Sequence, residues 1–262
     1  MTENNQLRIM TYNVKNAMDV PPHSWEERKG MLRDLIQRES PDLIGTQECL
    51  YGQVCDILEM LPEYDWIGLG REGGSRGEYA AIFFKKERFK ILEYDHFWLS
   101  DTPDVIASAT WGNFVTRMMT WAQFVDVKTN LQFYHMNTHF DHESSNSRVK
   151  SAKTIIQMID QFDPNLPIIL TGDFNEDINS KPYEVLLSEG ALSDTWNMTN
   201  LRFNEELGTF NDFQDPHGGK ERIDWIIVRG DMIVESVGII ADHPNGCFPS
   251  DHYPVVANVY LK

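Results

Sequence analysis

The 262-residue sequence contains no uninterrupted apolar run approaching the roughly 18 residues of a membrane-spanning helix, so no membrane anchor is expected. Its opening, MTENNQLRIM, lacks a cationic stretch leading into an apolar one, which argues against a secretory leader. Cysteine is scarce. Cys49, Cys55 and Cys247 form no CxxC pair and, being three, cannot all pair with one another. Free thiols in a reducing compartment, the cytoplasm, are the expectation. Basic residues are also in deficit, with 23 Lys and Arg against 40 Asp and Glu and a formal net charge of −17. Proteins that grip long duplex DNA use a basic face that releases counterions. No Lys/Arg-rich block offers one here, so the acidity weighs against that partner, although a local basic cleft can coexist with a negative average. There is no HExxH motif, and His135, His139 and His142 lie on a strand and its following loop without a supporting ligand set, which argues against a zinc hydrolase.

What is present reads as one domain spanning residues 1–262, without repeat, low-complexity tract or linker. Leu7 to Val14 alternates as a strand. Ser24 and Glu27 form a capping box for a helix with Met31, Leu32, Leu35 and Ile36 as its apolar stripe, barred from continuing by Pro41. A short strand from Asp42 to Gln47 delivers Glu48, and a second helix covers about Gly52 to Leu61. Tyr79 to Lys85 is a strand. Met118 to Val127 and Leu131 to Phe140 are separated by only three residues and therefore make an antiparallel hairpin. A helix is expected over about Asn146 to Phe162. A continuously apolar strand, Pro167 to Leu170, leads into Gly172-Asp-Phe-Asn175. A short helix is expected from Pro182 to Gly190. The tail holds strands at Ile223–Val228, Ile233–Ile240 and Val255–Leu261. Asp95 to Asn113 is the least regular stretch and reads as a surface excursion. The simplest architecture is mixed α/β sheet with helices covering its faces.

Several polar residues sit where an apolar strand gives way to a loop: Asn13, Glu48, His139, Asp173, Asn175, Asp251 and His252. Asp224 lies inside the apolar run Ile223–Val228, where a carboxylate is costly without a dedicated partner. Taken singly, a strand-end Asp is more often a turn residue or helix cap. Together the set suits hydrolysis of a phosphate ester. Hard oxygen donors such as Glu48, Asp251 and the Asn13 amide suit Mg²⁺. His252 can take a proton from water, with a buried acid, Asp224, orienting its ring. Asp173 and Asn175 can position that water and a phosphoryl oxygen, and His139 can donate to a non-bridging oxygen as charge grows there.

Thr11-Tyr-Asn13, Thr46-Gln-Glu48, Asn137-Thr-His139, Gly172-Asp-Phe-Asn175, Arg222-Ile-Asp224-Trp and Ser250-Asp-His252 resemble, in order, the signature of the endonuclease/exonuclease/phosphatase superfamily, the DNase I-like metal phosphoesterases. The resemblance runs from residue 11 to 254. It implies a four-layer α/β sandwich, two packed mixed β-sheets flanked by helices, with the site at one edge. It assigns Asn13 and Glu48 to a divalent metal, Mg²⁺ or Mn²⁺, with Asp251 a ligand or near neighbour. It pairs Asp224 with His252, makes Asp173 and Asn175 positioning residues, and makes His139 a transition-state donor. Lys15 stands where some family nucleases carry an acidic residue, which argues against a second metal site. Phe97–Pro103 and Thr116–Trp121 resemble a bacterial branch, in which Arg117 binds phosphate; capping a strand is its alternative role.

The expected function is therefore metal-dependent hydrolysis of a phosphomonoester or phosphodiester in a small phosphorylated molecule or short oligonucleotide, by a monomer. The alternatives are a DNA or abasic-site endonuclease or exonuclease of the same superfamily, and a non-catalytic binding protein on this scaffold. The loop Arg71–Gly77 is read as a phosphate cradle or a hairpin connection, Trp98 and Trp111 as stacking platforms or core, and Arg148 as a site residue or a solvated one.

Overall fold

The computed structural model describes residues 5–188 and 192–262. In chain order its strands are β1 (Gln6–Asn13), β2 (Leu43–Cys49), β3 (Tyr64–Ile67), β4 (Tyr79–Lys85), β5 (Phe89–Trp98), β6 (Met118–Asp126), β7 (Gln132–His139) and β8 (Ile168–Asp173). They continue with β9 (Ser193–Asp194), β10 (Arg202–Phe203), β11 (Asp224–Arg229), β12 (Met232–Ile239) and β13 (Val255–Leu261). The helices are α1 (Trp25–Glu39), α2 (Tyr51–Met60), α3 (Ser145–Ile159), α4 (Lys181–Leu187) and α5 (Thr195–Met198).

The strands form two mixed sheets, ordered β10-β12-β13-β1-β2-β4-β3 and β5-β6-β7-β8-β11-β9. Each is built around a parallel pair, β1–β2 in one and β7–β8 in the other. Each pair is joined by a helix, α1 or α3, as a parallel crossover requires. Three apolar layers follow. Met10, Tyr12, Ile44 and Phe83 face Leu32, Leu35 and Ile57 of α1 and α2. Leu7, Ile9, Leu43, Phe133, Ile169 and Ile226 fill the space between the sheets. Met136, Leu170 and Trp225 face Ile155 and Leu186 of α3 and α4. The result is the expected four-layer α/β sandwich.

Period-two alternation decides which side chains meet between the sheets. Along the inner faces the residues change from apolar to polar: Leu7-Ile9-Thr11-Asn13 on β1, Phe133-His135-Asn137-His139 on β7, and Ile169-Thr171-Asp173 on β8. Asn137 ties the two sheets together. Its Nδ2 donates to the carbonyls of Thr46 (2.8 Å) and Ala81 (3.0 Å), while its Oδ1 accepts from Gln47 Nε2 (2.7 Å) and Thr171 Oγ1 (3.0 Å). Gly45 permits that approach, because a Cβ there would run into Thr171 Oγ1 and Asn137 Oδ1.

The expected elements are present with ends shifted by a few residues, and the Met118–Phe140 hairpin pairs as anticipated. At the α1 entry the Ser24 hydroxyl donates to Glu27 (2.7 Å) instead of accepting an orphan amide, and Glu27 accepts the Ser24 N–H (3.3 Å). The surface excursion expected over Asp95–Asn113 is present across residues 101–110, which are irregular and largely exposed, and is corrected at its ends. Asp95–Trp98 completes β5, and Leu99 and Trp111 are buried against Phe140 under α3. The expected helix end at Gly190 lies outside the described residues.

Replacing Asn137 with Leu leaves two carbonyls and two donors in the core without their partner. It is expected to lower the free energy of unfolding by about 3 kcal/mol. Urea denaturation followed by far-ultraviolet circular dichroism measures this; an unchanged midpoint would show that the sheets are held by apolar packing alone.

Candidate active site

Strand register assembles the site. Asp173, the last residue of β8, lies opposite His139 on β7 and opposite Asp224 on β11. From the other sheet, Asn13 ends β1 beside Gln47 on β2. Its amide spans the gap, donating from Nδ2 to Glu48 Oε1 (3.0 Å) and to Asp173 Oδ2 (2.9 Å). Its Oδ1 accepts the Lys15 N–H (3.0 Å). Glu48 reaches the cavity through an irregularity in β2, whose register against β4 shifts between Thr46 and Cys49. Its φ of 64° is left-handed, as are those of Lys15 (55°) and Asn175 (51°). With Asp212 (50°), four non-glycine residues in that region line one cavity, stored strain of about 1 kcal/mol or more each and characteristic of functional sites.

Asp224 has its dedicated partner, His252, whose Nδ1 lies 2.9 Å from Asp224 Oδ2. The other ring nitrogen, Nε2, lies 3.7 Å from Asp173 Oδ2. Burial opposes the His252 charge, but Asp224 and Asp173 outweigh it and raise the imidazole pKa above its ordinary 6.5. Burial and the neighbouring Asp224 push Asp173 upward from the usual carboxylate range. His139 goes the other way. Burial, reinforced by Arg117 and Arg71, pushes it well below 6.5, so it is neutral. Asn175 Nδ2 donates to Phe140 O (3.0 Å) and sits 3.0 Å from His139 Nε2, which makes that nitrogen an acceptor in this arrangement.

These residues open onto a cavity of about 420 Å³ lined by Glu48, His139, Asp173, Asn175, Asp251 and His252, and also by Lys15, Arg71, Glu78 and Phe210. Arg117 stands behind it, fully buried, with Nη1 3.9 Å from Glu78 Oε2 and Nη2 3.2 Å from His142 Nδ1. Arg71, in the Gly-rich loop, reaches the cavity itself and pairs with Glu78 at 2.6 Å, whereas Arg76 turns back to the Glu72 carbonyl. The loop is anchored by Trp98, whose Nε1 donates to Arg71 O (2.7 Å). Trp98 and Trp111 are buried packing residues. Arg148 is neither solvated nor in the cavity: it bonds Asp141 O and Glu176.

The cavity is rich in hard oxygen donors for a divalent cation: the carboxylates of Glu48, Glu78, Asp173, Asp212 and Asp251 all line it, and the sequence motifs single out Glu48 and Asp251 among them. Burial would raise the Glu48 carboxyl, but Lys15, the Asn13 amide and His252 hold it below the usual range, which suits a cation ligand. Asp251 Oδ2 lies 3.1 Å from Lys15 Nζ, so one position near it is already filled by an ammonium. As placed, Asn13 turns its nitrogen to the carboxylates and acts as their bridge. Donor atoms of Asp173, Asp224 and His252 also lie within 4.8 Å of one another, with His252 Nδ1 and Asp224 Oδ2 already engaged in their mutual hydrogen bond. These oxygen-rich donors suit a hard divalent ion.

Arg28 was not legible as a site residue. It is buried on α1, and its five N–H groups meet five carbonyls: His23 (2.8 Å), Val14 (2.9 Å), Pro249 (2.8 Å), Lys15 (3.1 Å) and Asn16 (3.4 Å). It thereby joins the end of β1 to the segment that carries Asp251 and His252. Nothing in the sequence near Arg28 marks this, since its partners are backbone atoms from distant segments.

A sequence profile of the Endonuclease/Exonuclease/phosphatase family matches residues 10–252. The chain belongs to this family. An endonuclease/exonuclease/phosphatase family protein from Bacteroides thetaiotaomicron superposes with a TM-score of 0.92 at 35% identity, covering 98% of each chain. A mannosyl-6-phosphatase of that organism superposes with a TM-score of 0.92 at 35% identity, over 97% of this chain and 100% of its own. The uncharacterized protein L388 of Acanthamoeba polyphaga mimivirus is 31% identical over 209 residues, 74% of this chain and 76% of that protein. The fold and family expected from the motifs are thus established, including the bacterial likeness.

Lysine has three donors on a flexible stem and cannot reproduce Arg28's planar fork. Arg28→Lys is expected to cost about 2 kcal/mol of stability. Thermal melting measures it; an unchanged melting temperature would mean that the five carbonyls are held without the guanidinium.

Proposed function

We propose that the chain is a Mg²⁺- or Mn²⁺-dependent phosphoesterase acting on a small phosphorylated molecule. The observation that carries this reading is the His252–Asp224 pair, with the free face of the imidazole turned toward Asp173 in a cavity shared with Glu48 and Asp251. His252 Nε2 takes the proton from water, whose oxygen attacks phosphorus as the ester P–O bond breaks; the leaving oxygen departs as the alkoxide and takes up a proton from solvent to become the alcohol. Asp224 orients the ring and stabilises the imidazolium. Asp173 and Asn175 position the water and a phosphoryl oxygen. His139 can donate to that oxygen only with its proton on Nε2, so the Asn175 N–H has to turn from the ring to the substrate. Glu48 and Asp251 would hold a divalent ion, with the Asn13 amide bridging Glu48 to Asp173, and such an ion would supply charge neutralisation to the phosphoryl group and the leaving oxygen. Arg71 in the cavity wall and Arg117 behind it add positive potential beside His139.

The net charge of −17 supports a small substrate over long duplex nucleic acid, and the 35% identical mannosyl-6-phosphatase supports a sugar phosphate. The three apolar layers draw on strands from both ends of the chain, which supports one domain over residues 1–262.

Hydrolysis of a panel with Mg²⁺, with Mn²⁺ and with EDTA tests the reading. The panel contains mannose 6-phosphate, inositol phosphate, a chromogenic monoester and diester, single-stranded oligonucleotide and abasic duplex DNA. Metal-dependent turnover of a monoester, reduced at least about 100-fold in His252→Ala, is expected. Full activity in that variant would remove the mechanism, and a preference for abasic duplex with steep salt dependence would replace the substrate.

The general base must be neutral, and Asp224 and Asp173 favour its protonated form. Activity is therefore expected to rise with pH through a limb above 6.5. Asp224→Asn removes one stabilising charge and should move that limb to lower pH while reducing kcat. A limb that stays in place would show that another group titrates.

A further inference from the structure

A second cavity of about 300 Å³ adjoins the first, sharing Lys15, Asp212 and Asp251 with it. Its remaining wall is the segment Asp19–His23 together with Phe213. The partition between the two is the turn Phe210–Phe213, which is held rigidly. Asn211 is buried: its backbone N–H donates to Asp251 O (2.7 Å), its Nδ2 to Ser250 O (3.1 Å), and its Oδ1 accepts the Phe213 N–H (2.8 Å). The Asp212 N–H also donates to Asp251 O (3.1 Å). Asp212 and Phe213 are consecutive left-handed residues, with φ of 50° and 56°. Such a pair is disfavoured for residues with side chains, and here it is fastened to the segment that carries His252.

The chemistry of the second cavity differs from that of the first. It presents Asp19, Asp212 and Asp251 against one ammonium, Lys15, which is already paired with Asp251. His23 is stacked on Phe213 at 4.3 Å. Val20, Pro21 and Pro22 supply aliphatic wall, and Phe210, 41% exposed, stands at the boundary with its ring 5.1 Å from that of His252. Asp19 Oδ2 is buried and has no hydrogen-bond donor among the described residues. Acceptor-only carboxylates beside aliphatic and aromatic surface suit a ring that carries hydroxyl donors and C–H faces. A second phosphate would meet three carboxylates, with Lys15 already paired to Asp251 and His23 the one other basic side chain in the lining, and the excess of negative charge selects against it.

Building on the phosphoesterase reading, we propose that this second cavity holds the alcohol portion of the substrate. It takes an uncharged polyhydroxylated ring, such as a sugar, and rejects one that bears another phosphate. Asp19 and Asp212 accept hydroxyls of the ring, while the phosphate sits in the first cavity.

The test compares kcat and KM for mannose 6-phosphate, mannose 1,6-bisphosphate and p-nitrophenyl phosphate in the wild type, Asp19→Asn and Asp19→Lys, with melting temperatures to confirm folding. Wild-type protein is expected to prefer the monophosphate to the bisphosphate by about 100-fold or more in kcat/KM. Asp19→Asn should lower kcat/KM for mannose 6-phosphate about tenfold relative to p-nitrophenyl phosphate, mainly through KM. Asp19→Lys should raise the bisphosphate about tenfold relative to the monophosphate. A bisphosphate hydrolysed as well as the monophosphate by the wild type, or variants that change all substrates alike, would overturn the assignment. No turnover of any of the three by the wild type with Mg²⁺ would instead overturn the phosphoesterase reading beneath it.

Discussion

The hydrogen bonds of Asn137 are the constraint on which the site depends. Apolar packing between two sheets is non-directional and would accept small slips in their relative position. Four directional bonds from one buried amide do not. They tie β7 to β2 and β4 of the opposite sheet and to Thr171 on β8, just below the level at which the two sheets turn polar. One step further along the same faces, Asn13 from the first sheet meets Asp173 from the second. Gly45 is part of the same constraint, because its missing side chain leaves room for the amide.

Above that clasp the protein concentrates charge it cannot easily solvate. Asp173 and Asp224 are buried, Glu48 and Asp251 stand close by, and the cations facing them are His252 and Lys15. The arrangement is stable because nearly every member has a specific partner: Asp224 with His252, Asp251 with Lys15, and Glu48 and Asp173 with the Asn13 amide. The same crowding pulls the two histidines apart. His252, between carboxylates, is driven toward the charged form, whereas His139, beside Arg117 and Arg71, is driven toward the neutral one. Two imidazoles in one cavity are thereby suited to different proton-transfer roles.

Much of this was legible in the sequence, for reasons that differ by residue. Asp224 stood out because a carboxylate inside an apolar strand demands a partner, and alternation places it on the same face as Ile226 and Val228. Glu48, His139 and Asp173 stood out because apolar strands ended at them. Arg28 and Asn211 left no such trace, because they act on backbone carbonyls that any residue would present. Asp95–Trp98 was misread because the middle of β5, from Leu92 to Asp95, is exposed on both faces and gives no alternation to mark it as strand. Arg148 was visible as a charge near the site, but its partners, Asp141 O and Glu176, depend on how α3 meets the loops.

By itself the sequence determined the family, the alternation of faces, and the chemical types assembled at one edge of the sandwich, because these follow from local periodicity and from motifs a few residues long. Only the tertiary structure decided which carboxylate faces which histidine, that the Asn13 amide presents nitrogen to the carboxylates, that Lys15 fills the place beside Asp251, and that a second, acidic cavity adjoins the first. Each of these depends on side chains brought together from segments as far apart as residues 15 and 251, and a directional contact across such a distance is set by the packing of whole sheets.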